Sequence, residues 1–246
     1  MRNWALIVLL VLGITGVGFA EESDSDAGAE IVGKYLESTH TQQETLKGMQ
    51  MEVQIEAELP KLHKTGKMSA LRMISSIGKV SYKMLGFSGD DTVKRDVIAR
   101  YLTAETQGLQ DTKQYAIDPA NYKFKYKGIE ELNGRKIHVF ELKPKQNRVG
   151  LFKGELCLDT ETYMPVRESG RFVKNPSVFL KKVEFTRDYE IENGVAVPKH
   201  IQSRVDTRVV GRADISIDYT APKKLDAAGD QPTSAAVSVE QAKLGH

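Results

Sequence analysis

Apolar and polar residues alternate without a break from Met49 to Leu59, with apolar residues at the odd positions and polar residues at the even positions. Successive side chains of a β-strand point to opposite faces, so this pattern predicts a strand with one apolar and one polar face. The apolar face must be removed from water by a protein core, a covering helix or an apolar ligand. The side chains expected to face water are Gln50, Glu52, Gln54, Glu56 and Glu58.

Two segments carry the single apolar stripe of an amphipathic helix, at 30–46 and 90–107. Ser88, Asp90 and Asp91 precede the second stripe and offer the side-chain oxygens that cap helix N-termini. Because each stripe covers one face only, we expect both helices to lie against another element. The stripe residues are Ile31, Val32, Tyr35, Leu36 and Leu46 in the first helix, and Val93, Val97, Ile98, Tyr101 and Leu102 in the second.

The rest of the chain has the period-two pattern of β-strands. The segment 64–67 is typical of a turn, with one strand beginning near Met68 and another running through Val80, Tyr82 and Met84. Asn-Gly pairs at 133–134 and 193–194 predict tight hairpin turns between later strands. A total of about nine to eleven antiparallel strands makes a sheet large enough to curl strongly or close.

The first 20 residues have the organisation of a secretory signal peptide, with Arg2, an apolar stretch and small residues before Ala20. We expect cleavage after Ala20 and a periplasmic mature protein, with an uncleaved anchor as the alternative. Residues 21–29 are acidic and small, which predicts a flexible lead-in, and 222–246 have the composition of a disordered tail. A single domain is expected over 30–221.

The charge balance gives no reason to expect nucleic acid as a partner. The chain has 35 Lys+Arg and 33 Asp+Glu, and removal of residues 1–20 takes away Arg2, which leaves 34 against 33 and a net charge of +1. With a single cysteine, Cys157, no intrachain disulfide forms, so the core must hold the fold.

Candidate catalytic and metal-binding residues have simpler interpretations. The five histidines stand apart from other metal-ligand residue types, so we expect no metal site and no cofactor. Cys157 has no activating base placed by the sequence, which favours an inert thiol over a nucleophile. Glu155, Asp159 and Glu161 are interpreted as a solvated strand edge and turn, with a glycosidase carboxylate pair as the alternative.

Methionines are concentrated in the first strands. Their flexible side chains suit either an ordinary core or a surface that accepts variable apolar partners, and the sequence leaves both interpretations open. These residues are Met49, Met51, Met68, Met73 and Met84.

The second half of the chain resembles the outer-membrane lipoprotein-sorting (LolA/LolB-like) superfamily. The motifs are NGRKIHVFELKPK at 133–145, LFKGELCLDTETYMPVR at 151–167, VEFTRDY at 183–189, NGVAVP at 193–198 and the final ADISIDY. The resemblance covers about 30 to 220 and implies a mainly β (α+β) fold: a strongly curved antiparallel sheet that forms an incomplete barrel, with helices covering its open side.

The resemblance also implies a function without catalysis. Carriers of this kind hold acyl chains in the apolar concavity, and an arginine inside the cavity holds the lid helices closed. Arg72 is the corresponding candidate here, with an outward-facing strand arginine as the alternative. The expected mature start has no lipobox cysteine, so the chain does not resemble the lipid-anchored receptor of such a system.

The sequence therefore predicts a periplasmic, non-enzymatic carrier or binder of lipids or acylated lipoproteins, with transfer components of the inner and outer membranes as further partners. An envelope regulator or scaffold that binds a partner protein with the same fold is the alternative, and a hydrolase of envelope lipids or glycans is a third hypothesis. The residues predicted to contact the ligand are Met49, Met51, Val53, Ile55, Ala57, Leu71, Met73, Tyr82 and Met84.

Overall fold

The computed structural model describes residues 20–110, 112–175, 180–208 and 211–225. The predicted signal peptide, apart from Ala20, and the predicted tail from residue 226 onward lie outside the described residues. Among the described residues, no helix is both long enough and apolar enough to span a membrane.

The helices occupy two parts of the chain. Helix α1 spans Ala20–Thr45, and a second helical run comprises α2 (Asp91–Val93), a π-helical segment at Lys94–Ile98 and α3 (Ala99–Gln110), followed by the short α4 (Thr112–Tyr115). The Asp90 carboxylate accepts a hydrogen bond from the Thr92 N–H at 2.7 Å and so caps α2 as the sequence predicts. A short 3₁₀ turn lies at Pro60–Leu62.

Eleven strands form one antiparallel sheet in the described chain. They are β1 (Met49–Leu59), β2 (Lys64–Ile74), β3 (Val80–Gly89), β4 (Tyr122–Leu132), β5 (Arg135–Pro144), β6 (Phe152–Asp159), β7 (Pro165–Phe172), β8 (Leu180–Glu192), β9 (Val195–Thr207), β10 (Arg212–Tyr219) and β11 (Lys223–Lys224). The strand order is β3-β2-β1-β10-β9-β8-β7-β6-β5-β4, and β11 pairs with β1 beside the end of β10. Because β3 and β4 are the two edges and do not pair, the sheet is an incomplete barrel, as predicted.

Local irregularities and close backbone contacts accompany the curvature. Register shifts interrupt the β2/β3, β4/β5, β6/β7 and β8/β9 pairings, and such bulges increase the local twist of a sheet. Gly154 of β6 lies opposite Gly170 of β7, and a methyl group added at Gly154 would lie 1.9 Å from the Ser169 carbonyl oxygen. These strands therefore pass too close to each other for any side chain at Gly154.

Helix α1 begins earlier than the sequence predicts. Residues 21–29, which we predicted to be a flexible lead-in, belong to this helix. Gly28 is buried, and a Cβ at this position would lie 3.1 Å from Cβ of Tyr126, so the absence of a side chain lets the helix pack closely on the sheet. The acidic composition of 21–29 did not indicate this contact, because the contact depends on Gly28 alone.

Two apolar cores lie on the face of the sheet that the helices cover, here called the inner face. In the first core, α2 and the π-helical segment pack on β1, β2 and β10. In the second core, α1 packs through Ile31, Val32 and Tyr35 on β4, β5 and β6. The boundary runs between β8 and β9, because Phe185 packs against the second core whereas Ile201 and Val205 belong to the first. Both predicted one-sided helices thus lie on the sheet.

Candidate functional site

The inner face of β1 is the apolar surface that the sequence pattern predicts. Met51, Val53, Ile55, Ala57 and Leu59 are each at most 4% exposed, while Glu52, Gln54, Glu56 and Glu58 are exposed on the opposite, outer face. Their neighbours in the core include Val93, Val97 and Ile98 of the second helical run and Ile215 and Ile217 of β10. In this structure the helical run covers this apolar surface.

On β2 the inner face carries the even positions, so two of the residues predicted to contact the ligand do not share a face with Met51 and Val53. Met51 pairs with Arg72 and Val53 with Ala70, and directly paired residues share a face. Leu71 and Met73 therefore lie on the outer face, opposite the inner residues Met68, Ala70, Arg72 and Ile74. The connection Pro60–His63, and not the predicted turn at 64–67, joins β1 to β2 and sets this register.

The remaining predicted contacts lie at the margin of the inner face. Tyr82 pairs with Arg72 and Met84 with Ala70, which places both on the inner face of β3. Met84 is nevertheless 45% exposed, because β3 is the edge strand, and Met49 is half-buried at the start of β1.

Arg72 contacts the second helical run from within the inner face. Its Nε lies 3.6 Å from Oε1 of Glu105 on α3 and donates a hydrogen bond to the Tyr82 hydroxyl at 3.2 Å. The Tyr82 hydroxyl in turn donates to Oε2 of Glu105 at 2.8 Å. The three side chains thus connect β2, β3 and α3. The sequence predicted the arginine, but not its partner Glu105.

The surroundings of this cluster keep the Arg72 guanidinium charged and the Tyr82 phenol neutral. Burial opposes the charge of Arg72, but the adjacent Tyr82 and Glu105 outweigh it and raise the pKa of the guanidinium. Burial raises the pKa of Tyr82 well above its ordinary value, and the charge of Glu105 adds to this effect. The cluster is therefore a cation held by one carboxylate and one phenol.

A second polar cluster lies on β7 and β8, around the buried carboxylate of Glu168. Nη1 of Arg187 donates to Oε2 of Glu168 at 3.0 Å, and the Tyr189 hydroxyl donates to Oε1 of the same carboxylate at 2.8 Å. Burial raises the pKa of Tyr35 on α1, and the charge of Glu168 adds to this effect. The adjacent Tyr189 raises the pKa of Arg187, with further contributions from Glu168 and Tyr101 that outweigh the opposing effect of burial. Sequence reasoning missed this cluster, because the pairing of Glu168 with Arg187 follows from strand register.

A third cluster lies under α1, around His138. The ring Nδ1 is 2.9 Å from the Tyr126 hydroxyl, and the imidazole stacks on the Tyr163 ring at a centroid distance of 5.9 Å. Lys34 of α1 also lies over the Tyr163 ring, with its Nζ 4.8 Å from the ring centroid. Burial lowers the pKa of His138, and the charge of Lys34 acts in the same direction, whereas the charge of Asp159 opposes this shift without cancelling it.

The outer face carries an open polar groove of about 580 Å³ that crosses β8, β9, β10, β1 and β2. Its charged side chains form cross-strand pairs, such as Arg204 with Asp214 and Lys67 with Glu56. Its charged side chains come from outer positions, and the inner-face positions Ala57, Phe185, Ser203 and Ile215 also border it. The polar and charged residues at its walls are Glu56, Glu58, Thr65, Lys67, Glu184, Thr186, Gln202, Ser203, Arg204, Asp214 and Ser216.

Within the described ranges, no group of three or more His, Cys, Asp or Glu side chains is arranged to hold a metal ion. Cys157 is buried on the outer side of β6, among Ile137, Val139 and Val166, and burial raises its pKa to about 11. At neutral pH it is therefore a thiol and not a thiolate nucleophile.

No family model matches the sequence, and no curated protein matches it. Among solved structures, the fold is similar to a DUF1329 family protein from Desulfovibrio piger, with 11% identity, a TM-score of 0.46 and coverage of 83% of this chain and 99% of the other. It is also similar to a LolA superfamily protein from Nitrosomonas europaea, with 14% identity, a TM-score of 0.39 and coverage of 81% and 94%. The MucA/MucB complex of Pseudomonas aeruginosa matches with 12% identity, a TM-score of 0.28 and coverage of 78% and 99%.

Proposed function

We propose that this protein is a periplasmic, non-enzymatic carrier or binder of acylated ligands, either lipoprotein acyl chains or lipids. The supporting observation is the inner face of β1, a continuous apolar surface covered by a one-sided helical run and not by a second sheet. Such a cover can move as a unit without breaking the strand pairing of the sheet. We predicted a single domain over 30–221 after the signal peptide, with a disordered tail from 222. The described fold also includes α1 from Ala20 and β11 at Lys223–Lys224, which pairs with β1.

Ligand entry requires the second helical run to move, because its own side chains fill the inner face in this structure. Movement of Asp91–Gln110 would break the contact of Arg72 with Glu105 and uncover Met51, Val53, Ile55 and Ala57. Transfer of a few hundred Å² of acyl surface out of water stabilises the complex by several kcal/mol, at about 25 cal/mol per Å². Met49, Tyr82 and Met84 border this surface, whereas Leu71 and Met73 on the outer face are excluded from it.

The first test asks whether the protein carries an acylated molecule. The exported protein is purified from its own envelope and analysed by native mass spectrometry, then stripped of lipid and titrated with a fluorescent fatty acid. Co-purifying lipid or acylated lipoprotein, together with saturable fatty-acid uptake, is the expected result. A bare protein that also takes up no fatty acid would show that the proposed carrier function is wrong.

A matched pair of variants tests the lid. Glu105→Gln removes the charge that faces Arg72 and should accelerate fatty-acid uptake severalfold. Arg95→Gln removes a charge from the same helical run, but Arg95 is exposed and its ion-pair partner is the adjacent Asp96 of the same run. This control should leave the uptake rate unchanged. Equal rates for both variants and the parent would exclude Glu105 as a lid contact.

A fluorescent reporter separates lid movement from binding elsewhere. The single tryptophan of the chain is Trp4, in the predicted signal peptide. Phe87→Trp would therefore place the sole tryptophan of the mature protein beneath the helical run, where Lys94 now lies 4.9 Å from the ring centroid. We expect fatty acid to shift its emission, because displacement of the lid changes the surroundings of residue 87.

The second candidate function is an envelope regulator or scaffold that binds a partner protein. The observation that favours it is the filled inner face: the cores are made of the chain's own side chains, with no ligand needed to complete them. Chemical crosslinking in the intact envelope, followed by identification of crosslinked proteins, tests this alternative. A defined protein partner together with absent lipid uptake would favour it over the carrier.

A further inference from the structure

The hairpin of β2 and β3 contains basic side chains and no acidic ones. From Leu62 to Gly89 the sequence has no Asp or Glu, whereas it includes Lys64, Lys67, Arg72, Lys79 and Lys83. The chain as a whole is nearly neutral, with 35 basic and 33 acidic residues. Lys64, Lys67 and Arg72 form ion pairs with Asp90, Glu56 and Glu105 of other segments. Within the described chain, the hairpin lysines outside any ion pair are therefore Lys79 and Lys83, both exposed.

The turn that joins β2 to β3 presents an apolar side chain to solvent. Ile77 is 84% exposed, the highest exposure among the large apolar side chains of the described residues. The turn is held by backbone hydrogen bonds, from the Ser75 N–H to the Lys79 carbonyl at 2.9 Å and from the Gly78 N–H to the Ser75 carbonyl at 2.8 Å. Ile77 is thus fixed outward by an ordered turn.

Further lysines surround this turn. Met49 pairs with Ile74 on one side and with Lys224 on the other, so β11 lies two strand spacings from the end of β2, about 10 Å. Lys47 also lies against the turn, with its Cε 3.7 Å from the position that a Cβ of Gly78 would occupy. We call Lys47, Ile77, Lys79, Lys223 and Lys224 the basic tip.

The charge of the basic tip is largely uncompensated. Lys47 forms an ion pair with Glu44 at 2.7 Å. Lys79, Lys223 and Lys224 are all exposed, and across the described part of the chain none of the three lies in an ion pair with a carboxylate. The next acidic side chain along β1 is Glu52, on the outer face. Among the described residues, the basic tip therefore contains four lysines and one ion-pair partner, Glu44, around the exposed Ile77.

We propose that the basic tip docks on the surface of an anionic lipid bilayer, with the lysines at the lipid headgroups and Ile77 inserted among them. Lysines near an anionic surface each strengthen binding by about 1 kcal/mol, about fivefold in affinity. At a membrane surface, charged headgroups lie above the acyl chains. Lysines around an apolar side chain can contact the headgroups while the apolar side chain reaches the acyl chains. This docking is independent of the carrier function, since it involves neither the inner face nor the lid.

The experiment measures binding of the exported protein, purified after signal-peptide removal, to sedimented vesicles. One set contains phosphatidylcholine alone and the other adds about 30% phosphatidylglycerol. We expect binding to the anionic vesicles, little binding to the neutral vesicles, and a decrease in binding as salt concentration rises. Equal binding to both vesicles, or to neither, overturns the proposal.

Matched variants locate the surface. Reversal of Lys79 and Lys224 to Glu should weaken binding to anionic vesicles at least tenfold, and Ile77→Ser should weaken it severalfold. Reversal of Lys125 and Lys127 to Glu, on the opposite edge strand β4 beside the exposed Ile129, makes the same change of charge and should leave binding unchanged. Equal losses in both pairs would indicate a general charge effect and overturn the assignment. Competition by a soluble acidic peptide that abolishes vesicle binding at low micromolar concentration would identify a protein partner instead and would also overturn it.

Discussion

Arg72 of β2 and Glu105 of α3 approach within 3.6 Å beneath the helical cover, and each side chain is less than a fifth exposed. A buried ion pair of this kind contributes little net stability relative to apolar residues, because both charges lose their hydration. The loss of one partner, however, leaves the other charge buried and unpaired. The pair therefore fixes the position of α3 on the sheet and adds little to the stability of the fold.

This asymmetry gives a prediction for stability. Glu105→Leu should lower the free energy of unfolding by about 3 to 5 kcal/mol, since Arg72 remains charged in an apolar site. The double variant with Arg72→Met and Glu105→Leu should recover most of the loss. Urea unfolding of the parent, both single variants and the double variant measures the effect. A double variant no more stable than Glu105→Leu would contradict the assignment of the pair as buried and coupled.

His138 predicts a pH dependence of stability. Its pKa is lowered in the folded protein, chiefly by burial, so the unfolded state binds more protons below the ordinary histidine value of about 6.5. The free energy of unfolding should therefore decrease as the pH falls from 7 to 5. The groups that face the ring are Tyr126, Tyr163, Lys34 and Asp159.

Two variants isolate the contribution of His138. His138→Asn keeps a polar group near the position of Nδ1 but does not titrate, so it should flatten the dependence between pH 5 and 7. His63→Asn is the control, because His63 is exposed and its left-handed backbone, with φ of 53°, is one that Asn adopts readily. If both variants retain the slope of the parent, His138 is not its source.

Cys157 should be unreactive in the folded protein. Burial raises its pKa to about 11, so the thiolate is a minor species at pH 8. Iodoacetamide should label it at least a hundredfold more slowly in the native protein than in urea. Ser76→Cys, at an exposed position of the β2–β3 turn, provides the matched reactive thiol in the same chain. Equal labelling of Cys157 and the introduced cysteine under native conditions would contradict the burial of the thiol.

Two glycines should respond in opposite directions to replacement by alanine. A methyl group at Gly154 would lie 1.9 Å from the Ser169 carbonyl oxygen, so Gly154→Ala should separate β6 from β7 and lower Tm markedly. A methyl group at Gly33, exposed on α1, would meet no other atom within 4 Å, and Gly33→Ala should stabilise the helix by about 1 kcal/mol. Thermal unfolding followed by circular dichroism compares the two. A tolerated alanine at Gly154 would show that the strands can move apart at little cost.

The sequence was sufficient to predict the faces of β1 but not those of β2. Alternation within a strand depends on that strand alone, so Met51 and Ile55 were correctly assigned to the covered face. The face of β2 depends on the number of residues in the preceding turn. Leu59 pairs with Lys64, so odd positions of β1 share a face with even positions of β2. A change of one residue in that turn would reverse the assignment of Leu71 and Met73.

Contacts between distant segments were also beyond the sequence. Glu105 contacts Arg72 only because α3 lies along β2 and β3, and Glu168 pairs with Arg187 through the register of β7 and β8. In each case the residue types gave no periodic signal. By contrast, the one-sided stripe of Val93, Val97 and Ile98 was sufficient to predict that the second helical run packs on another element, because an exposed apolar stripe is unfavourable.

The division of the inner face into two cores has a consequence for how the molecule opens. The second helical run protects β1, β2 and β10, whereas α1 protects β4, β5 and β6, so the two sets of amides have different covers. Regions that open independently exchange their amide hydrogens with different free energies. One half of the sheet can therefore release its helix while the other keeps its full protection. In the proposed lid movement, the second helical run would leave the first core while α1 keeps the second core packed, so the sheet would remain a folded frame on which the run can close again.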